Sequence, residues 1–115
     1  MANLKRHMIE LVKEVKEGEV ITEKYLTPAF LPLSVVYEAL DIAEELEKKG
    51  VSEREKFDKM LDFTANQIYG KQFTKEELVN GLHGPDAIET LRNQLFFAAN
   101  GAQDEATKKF LAKKR

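Results

Sequence analysis

The feature that most constrains this fold is its punctuation. "SERE" at residues 52–55 and "TKEE" at residues 74–77 each place a hydroxyl three residues ahead of a glutamate. That is capping-box spacing: the hydroxyl accepts from the amide of the third helical residue, and the glutamate reaches back to the amide of the cap. Each box therefore predicts a helix start. Stops are marked as regularly, because Gly50, Gly70 and Gly101 stand just past apolar stripes, where glycine takes the left-handed conformation that other residues avoid. A chain marked in this way folds as several short helices.

Between the marks the apolar residues recur at the helical period. From Ser34, predicted as an N-cap, to about Lys49, the stripe is Val35, Ala39, Ile42, Ala43 and Leu46. Phe57, Met60, Leu61, Ala65 and Ile68 form the next, ending at Gly70. A short helix after Thr74 turns Leu78, Val79 and Leu82 inward and leaves through "NGLHG". Pro85 suits the first turn of the last helix, where its missing amide proton is not needed; Ile88, Leu91, Leu95, Ala98 and Ala99 then line one side as far as Asn100.

The first 33 residues support two readings. Leu4, Met8, Leu11, Val12 and Val15 make a helical stripe followed by an extended arm; alternatively "MIELVKEV" and "VITEKYL" pair as a hairpin around "KEGE". Local periodicity slightly favours the helix, although on the hairpin reading only Lys13 spoils the odd-numbered face of Ile9, Leu11 and Val15. "TPAFLPL" is expected to be an extended connector, since Pro28 and Pro32 both disfavour helix in the residue before them. The fold class is thus mainly α, a bundle of about four amphipathic helices with an N-terminal hairpin or arm that would make it α+β.

A chain of 115 residues suits one domain. The expected division is 1–105 for the domain, with 1–33 as hairpin or arm and 34–101 as helical core, and 106–115 as a basic tail. That tail, "ATKKFLAKKR", carries five basic groups and no acidic one, leaving 13 basic against 20 acidic groups elsewhere, a net of −7. An acidic body repels phosphate backbones, so nucleic acid is an unlikely partner for the main surface. The tail keeps open a second function class, a small nucleic-acid-associated regulator. With no cysteine there is no disulfide or thiolate chemistry, which fits the cytoplasm. No apolar run approaches the roughly 18 residues of a membrane span, and the charged N-terminus lacks a signal-peptide core. Neither export nor a membrane is expected.

Reactive chemistry is scarce. His7 and His83 are the two imidazoles, and neither has a metal-ligating neighbour at helical spacing. The carboxylate pairs Glu44 with Glu47 and Asp58 with Asp62 each share a helix face, but they sit on polar faces beside lysines and read as solvated surface. "NGLHG" lacks the lysine and hydroxyl of a phosphate loop. Catalytic residues, metals and cofactors are accordingly not expected, and an enzyme is the weakest class.

Apolar surface, in contrast, exceeds what the stripes need. At about 100° per residue, Tyr37, Phe63 and Phe97 each fall about 140–150° from the centre of their own helix's apolar face. Either they are core, with the middle helix sandwiched and the N-terminal segment covering another, or they belong to a partner-binding or self-association surface. Phe30 and Leu31, in the apolar segment "AFLPL", are further candidates.

The order of these segments resembles a known family. A proline-led connector precedes a helix ending in "EALDIAEELEK"; a second helix ends in "IYGKQFTKEELVNGL", and an amphipathic helix follows. This resembles the tail-assembly chaperones of long-tailed phages and prophages of Gram-positive bacteria, chiefly over residues 20–100. The most specific run is "YG-x-QFT-x-EEL-x-x-GL", in which Phe73, Leu78, Gly81 and Leu82 match as structural residues. The resemblance implies a helical protein that binds the long, aggregation-prone tape-measure protein in the host cytoplasm, recruits tail-tube protein and leaves before the virion matures. It also implies that some members exist in a longer, frameshifted form, and that short extended segments open the chain, which favours the hairpin for residues 8–26.

Overall fold

The structure, a computed structural model, describes residues 5–103 and 105–113. The hairpin reading holds. Strand β1 (Met8–Lys16) pairs antiparallel with β2 (Glu19–Leu26), and five helices follow: α1 (Leu33–Leu46), α2 (Glu53–Phe63), α3 (Lys75–Gly81), α4 (Ala87–Asn100) and α5 (Glu105–Lys113). The two-residue turn has positive φ at both Glu17 (32°) and Gly18 (82°), the twist that lets a tight hairpin close.

Lys13, the residue that spoils the alternation, sits at a bulge between Val12 and Glu14. A bulge adds one residue to one strand and resets its parity, so the lysine never has to enter the core. Ile9 and Leu11 are buried on the near side, whereas residues 13–24 are exposed without exception. Half of the hairpin is packed and half projects.

Both capping hydroxyls act as predicted. Ser52 Oγ accepts from the Glu55 amide at 3.1 Å; Thr74 Oγ1 accepts from the Glu77 amide, and the Thr74 amide donates to Glu77 Oε1, both at 3.0 Å. Gly50, Gly70 and Gly101 all have positive φ. Ser34, however, is not a cap: Pro32 takes that position, with the Val35 amide donating to the Pro32 carbonyl at 3.0 Å, and the helix opens at Leu33. A proline whose φ is fixed and whose own amide proton is absent fits a helix entrance well. Val79, expected inward, is exposed instead.

The helices pack around α2, which contacts α1, α3 and α4, while α1 also lies along α4. α2 runs on into a π-helical turn, Thr64–Ile68, in which the Tyr69 amide donates to the Thr64 carbonyl at 3.1 Å. Thr64, Ala65, Ile68 and Tyr69 are all buried there. Of the segment read as a basic tail, residues 106–113 are helical in α5 and residues 114 and 115 lie outside the described residues; its Thr107 is buried, with Oγ1 accepting from the Met8 amide at 3.2 Å.

The run "QFTKEELVNGL" is the seat of the hairpin. Gln72 Nε2 donates to the Leu26 carbonyl at 2.7 Å, and Phe73 meets the Tyr25 ring edge-on at 4.9 Å between centroids. Glu77 Oε2 lies 3.3 Å from Lys13 Nζ at the bulge, with Leu78 buried beneath. Gly81 closes the seat: a Cβ there would stand 3.0 Å from Leu11 Cβ and 3.3 Å from the Val12 carbonyl oxygen.

Two outcomes follow for stability. Gly81→Ala forces backbone-anchored atoms apart and should lower stability by about 1–3 kcal/mol in denaturant titration, where a neutral or stabilising result contradicts the close approach. The hydrogen bond from the Thr74 amide, then that from the Lys13 ammonium, hold the Glu77 carboxyl below the usual carboxylate range. A carboxyl depressed by folding stabilises above its unfolded pKa of about 4.3 and loses that contribution as pH falls through the folded value. The stability gap between wild type and Glu77→Gln should therefore shrink on acidification below about pH 4; an unchanged gap refutes the assignment.

Candidate partner-binding surface

α1 has two apolar faces. Val35 and Ala39 are buried, and Ile42, Ala43 and Leu46 pack beside them against the core. On the outer side Leu33, Tyr37 and Leu40 stand at helical i, i+4 and i+7, with 61%, 61% and 49% of their surfaces exposed. Phe30, in the connector just before the helix, is 67% exposed, and Leu31 is half-buried. Exposed apolar rows on folded domains are usually short, so three large side chains on one helix face, with Phe30 just ahead of them, form a surface that needs explaining.

The sequence-derived candidates therefore separate. Tyr37 lies on this stripe, and Phe30 is exposed in the connector just ahead of it. Phe63 and Phe97 do not, with only 4% and 6% of their surfaces exposed. Phe63 is core because α2 is sandwiched, and it lines the inner side of a shallow groove with Glu38, Ile42 and Glu45 of α1. Phe97 is covered by the N-terminal segment: the His7 ring, itself buried, stacks on it at 4.9 Å and 26°. Neither aromatic can meet a partner while the fold is intact.

Leu40 is not among the sequence-derived candidates, because a cap at Ser34 starts the helix two residues late and leaves Leu33 outside it. The signal was present, since 33, 37 and 40 keep helical spacing once Leu33 opens the helix. A second exposed apolar group, Val15, Val20 and Ile21, lies at the hairpin's far end, where Val15 and Val20 are cross-strand partners. Phe96 of α4 is also half exposed.

The polar residues of the surface are arranged for structure. Asp58 and Asp62, the carboxylate pair on α2, both approach Lys75 Nζ, at 3.6 and 3.4 Å, and so join α2 to α3. Glu45 pairs with Lys59 between α1 and α2. Lys13 Nζ lies 5.1 Å above the Tyr25 ring while meeting Glu77 and Glu23; the Tyr25 hydroxyl first, then Glu77, raise its pKa against the opposing effect of burial. Among the described residues no group of three or more His, Cys, Asp and Glu side chains is placed to hold a metal, and no helix is long and apolar enough to cross a membrane.

A protein family described as "Phage tail chaperone protein" matches residues 3–115, nearly the whole chain. The chain belongs to the phage tail chaperone family. No curated protein and no solved structure matches it. For a tail chaperone, an exposed apolar row on a rigid helix is the feature of most interest, because folding leaves it without a use.

The two classes of aromatic should respond oppositely to the same change. Phe97→Ser should cost about 3–5 kcal/mol of stability, as loss of a buried aromatic does, whereas Tyr37→Ser should stay within about 0.5 kcal/mol of wild type. Thermal and urea unfolding measure both, and a large loss at Tyr37 would remove the stripe as a free surface.

Proposed function

We propose that this tail chaperone acts by stoichiometric binding, holding the tape-measure protein soluble in the host cytoplasm through the α1 stripe and bringing tail-tube protein to it during assembly. The observation that carries this reading is the row Leu33, Tyr37 and Leu40, with Phe30 exposed just ahead of it, on a helix whose other face is fixed in the core. Family membership supports the tail-assembly role. The physics supports the client class: a long helical protein awaiting assembly exposes amphipathic faces, and a rigid apolar ridge is what such a face packs against.

A stripe of this size is small beside a standard interface, which buries about 800 Å² on each partner. Single contacts would therefore be weak. Many copies along one long client would hold it by avidity and still let go one at a time as tube subunits arrive. Self-association of the chaperone is one way to gather such copies, and the exposed hairpin end, Val15, Val20 and Ile21, is a surface for it separate from the stripe.

Co-expression with the tape-measure protein of the same phage should raise the soluble yield of that protein and recover the two together. Tyr37→Ser combined with Leu40→Ser should abolish the gain while the chaperone keeps its melting temperature. No gain with wild type, or full gain with the double variant, would overturn the assignment.

A further inference from the structure

The charges around the stripe narrow what it accepts. Between Lys24 and Lys48 the chain holds no basic residue, while α1 and the residue after it carry Glu38, Asp41, Glu44, Glu45 and Glu47. Glu45 is engaged by Lys59; Glu38, Asp41, Glu44 and Glu47 are exposed. Their positions matter more than their number. Taking about 100° per residue from Leu33, Tyr37 and Leu40 lie at about 40° and −20°, and Glu44 lies at about 20°, on the same line one turn further. Asp41, at about 80°, flanks it. The outer face of α1 is therefore apolar for its first two turns and acidic toward its C-terminal end.

The helix adds to that polarity, because its carbonyl end carries partial negative charge and the last turn of α1 has no basic side chain, Lys48 and Lys49 following only beyond the C-cap Glu47. An approaching segment thus meets an apolar ridge that runs into a negative end.

We infer that the outer face of α1 binds a partner's amphipathic helix whose apolar side covers Leu33, Tyr37 and Leu40 and whose basic residues lie over Asp41 and Glu44. The inference rests on the client-binding reading above and names the chemistry of the segment bound. A helix suits the site better than a strand, since the ridge of i, i+4 and i+7 side chains fits the grooves of another helix and the stripe offers no row of open backbone groups. The chain's own basic helix is the natural rival, but α5 turns Thr107 inward to bond the Met8 amide and is held against β1. A second copy can present only the outer face of that helix, where Lys108 and Lys109 are exposed.

Two labelled helical peptides of about 18 residues test this, sharing one leucine face and differing only in whether lysine or glutamate flanks it. Titrated with the full chain in fluorescence anisotropy, the lysine peptide should bind about tenfold or more tightly than the glutamate peptide at low salt, and the advantage should fade as salt screens it. The variant D41K/E44K should reverse the preference, and Tyr37→Ser should weaken both peptides; Asp41→Asn with Glu44→Gln, milder at these exposed positions, should remove most of the preference. Equal binding of both peptides, or a preference that survives D41K/E44K, overturns the inference. So does sedimentation in which D41K/E44K dissolves a self-associated form while peptide binding is unmoved, because the occupant is then a second copy. Co-expression separates this from the wider reading: if D41K/E44K still solubilises the tape-measure protein, only the basic-helix inference fails, and if wild type prefers the lysine peptide yet never holds the tape-measure protein, only the client fails.

Discussion

The close approach of α3 to β1 at Gly81 is the constraint on which the rest of the structure depends. A two-stranded hairpin is marginal alone, so this one exists because something seats it. Gly81 lets the backbone of α3 come within contact of Leu11 and Val12, and the residues before it grip the hairpin in turn: Glu77 at the bulge, Phe73 on Tyr25, Gln72 on the Leu26 carbonyl. The other edge of β1 is closed by side chains. At Met8 the amide donates to Thr107 of α5 and the carbonyl accepts from Gln94 of α4, whose Oε1 accepts in turn from the Tyr69 hydroxyl. Every one of these groups is buried, where a missing partner costs about 1–3 kcal/mol. Once the start of β1 is fixed in this way, His7 lies on Phe97, and α4 has one aromatic face fewer to offer.

Local chemistry made the helix boundaries readable. Thr74 and Glu77 satisfy each other's amides whatever else the protein does, so their spacing announces α3 without reference to the core. The hairpin was ambiguous because its signal is weak where hairpin signals are usually strong. Glu17 stands where asparagine or aspartate would normally mark a turn with positive φ, and Lys13 reads as a fault in the strand until the bulge gives it a place. The π-helical turn after α2 and the burial of Thr107 had no local signal, since both are set by what packs against them.

The surface was half legible for the same reason. Periodicity can say that Tyr37, Phe63 and Phe97 leave the apolar face of their own helices, but what covers each is decided by other elements. α2 is enclosed on several sides, which takes Phe63; the N-terminal segment returns across α4, which takes Phe97; nothing among the described residues crosses the outside of α1, which leaves Tyr37. The stripe around Tyr37 becomes visible only when Pro32, rather than Ser34, is recognised as the helix entrance, because that choice brings Leu33 into register with it.

The division of labour along α1 then has a physical consequence. Its inner face, through Val35 and Ala39, is packed against the core, so the outer face cannot rotate inward to hide its leucines. The carboxylates at 38, 41, 44 and 47 stand exposed on the same helix or just past its end, and like charges of this kind oppose the meeting of two copies stripe to stripe. The same charges that oppose self-pairing favour a basic segment. If a basic helix is the occupant, as proposed, its discrimination needs no moving part: a helix face that repels its own kind and attracts its complement is specific by the difference between the two.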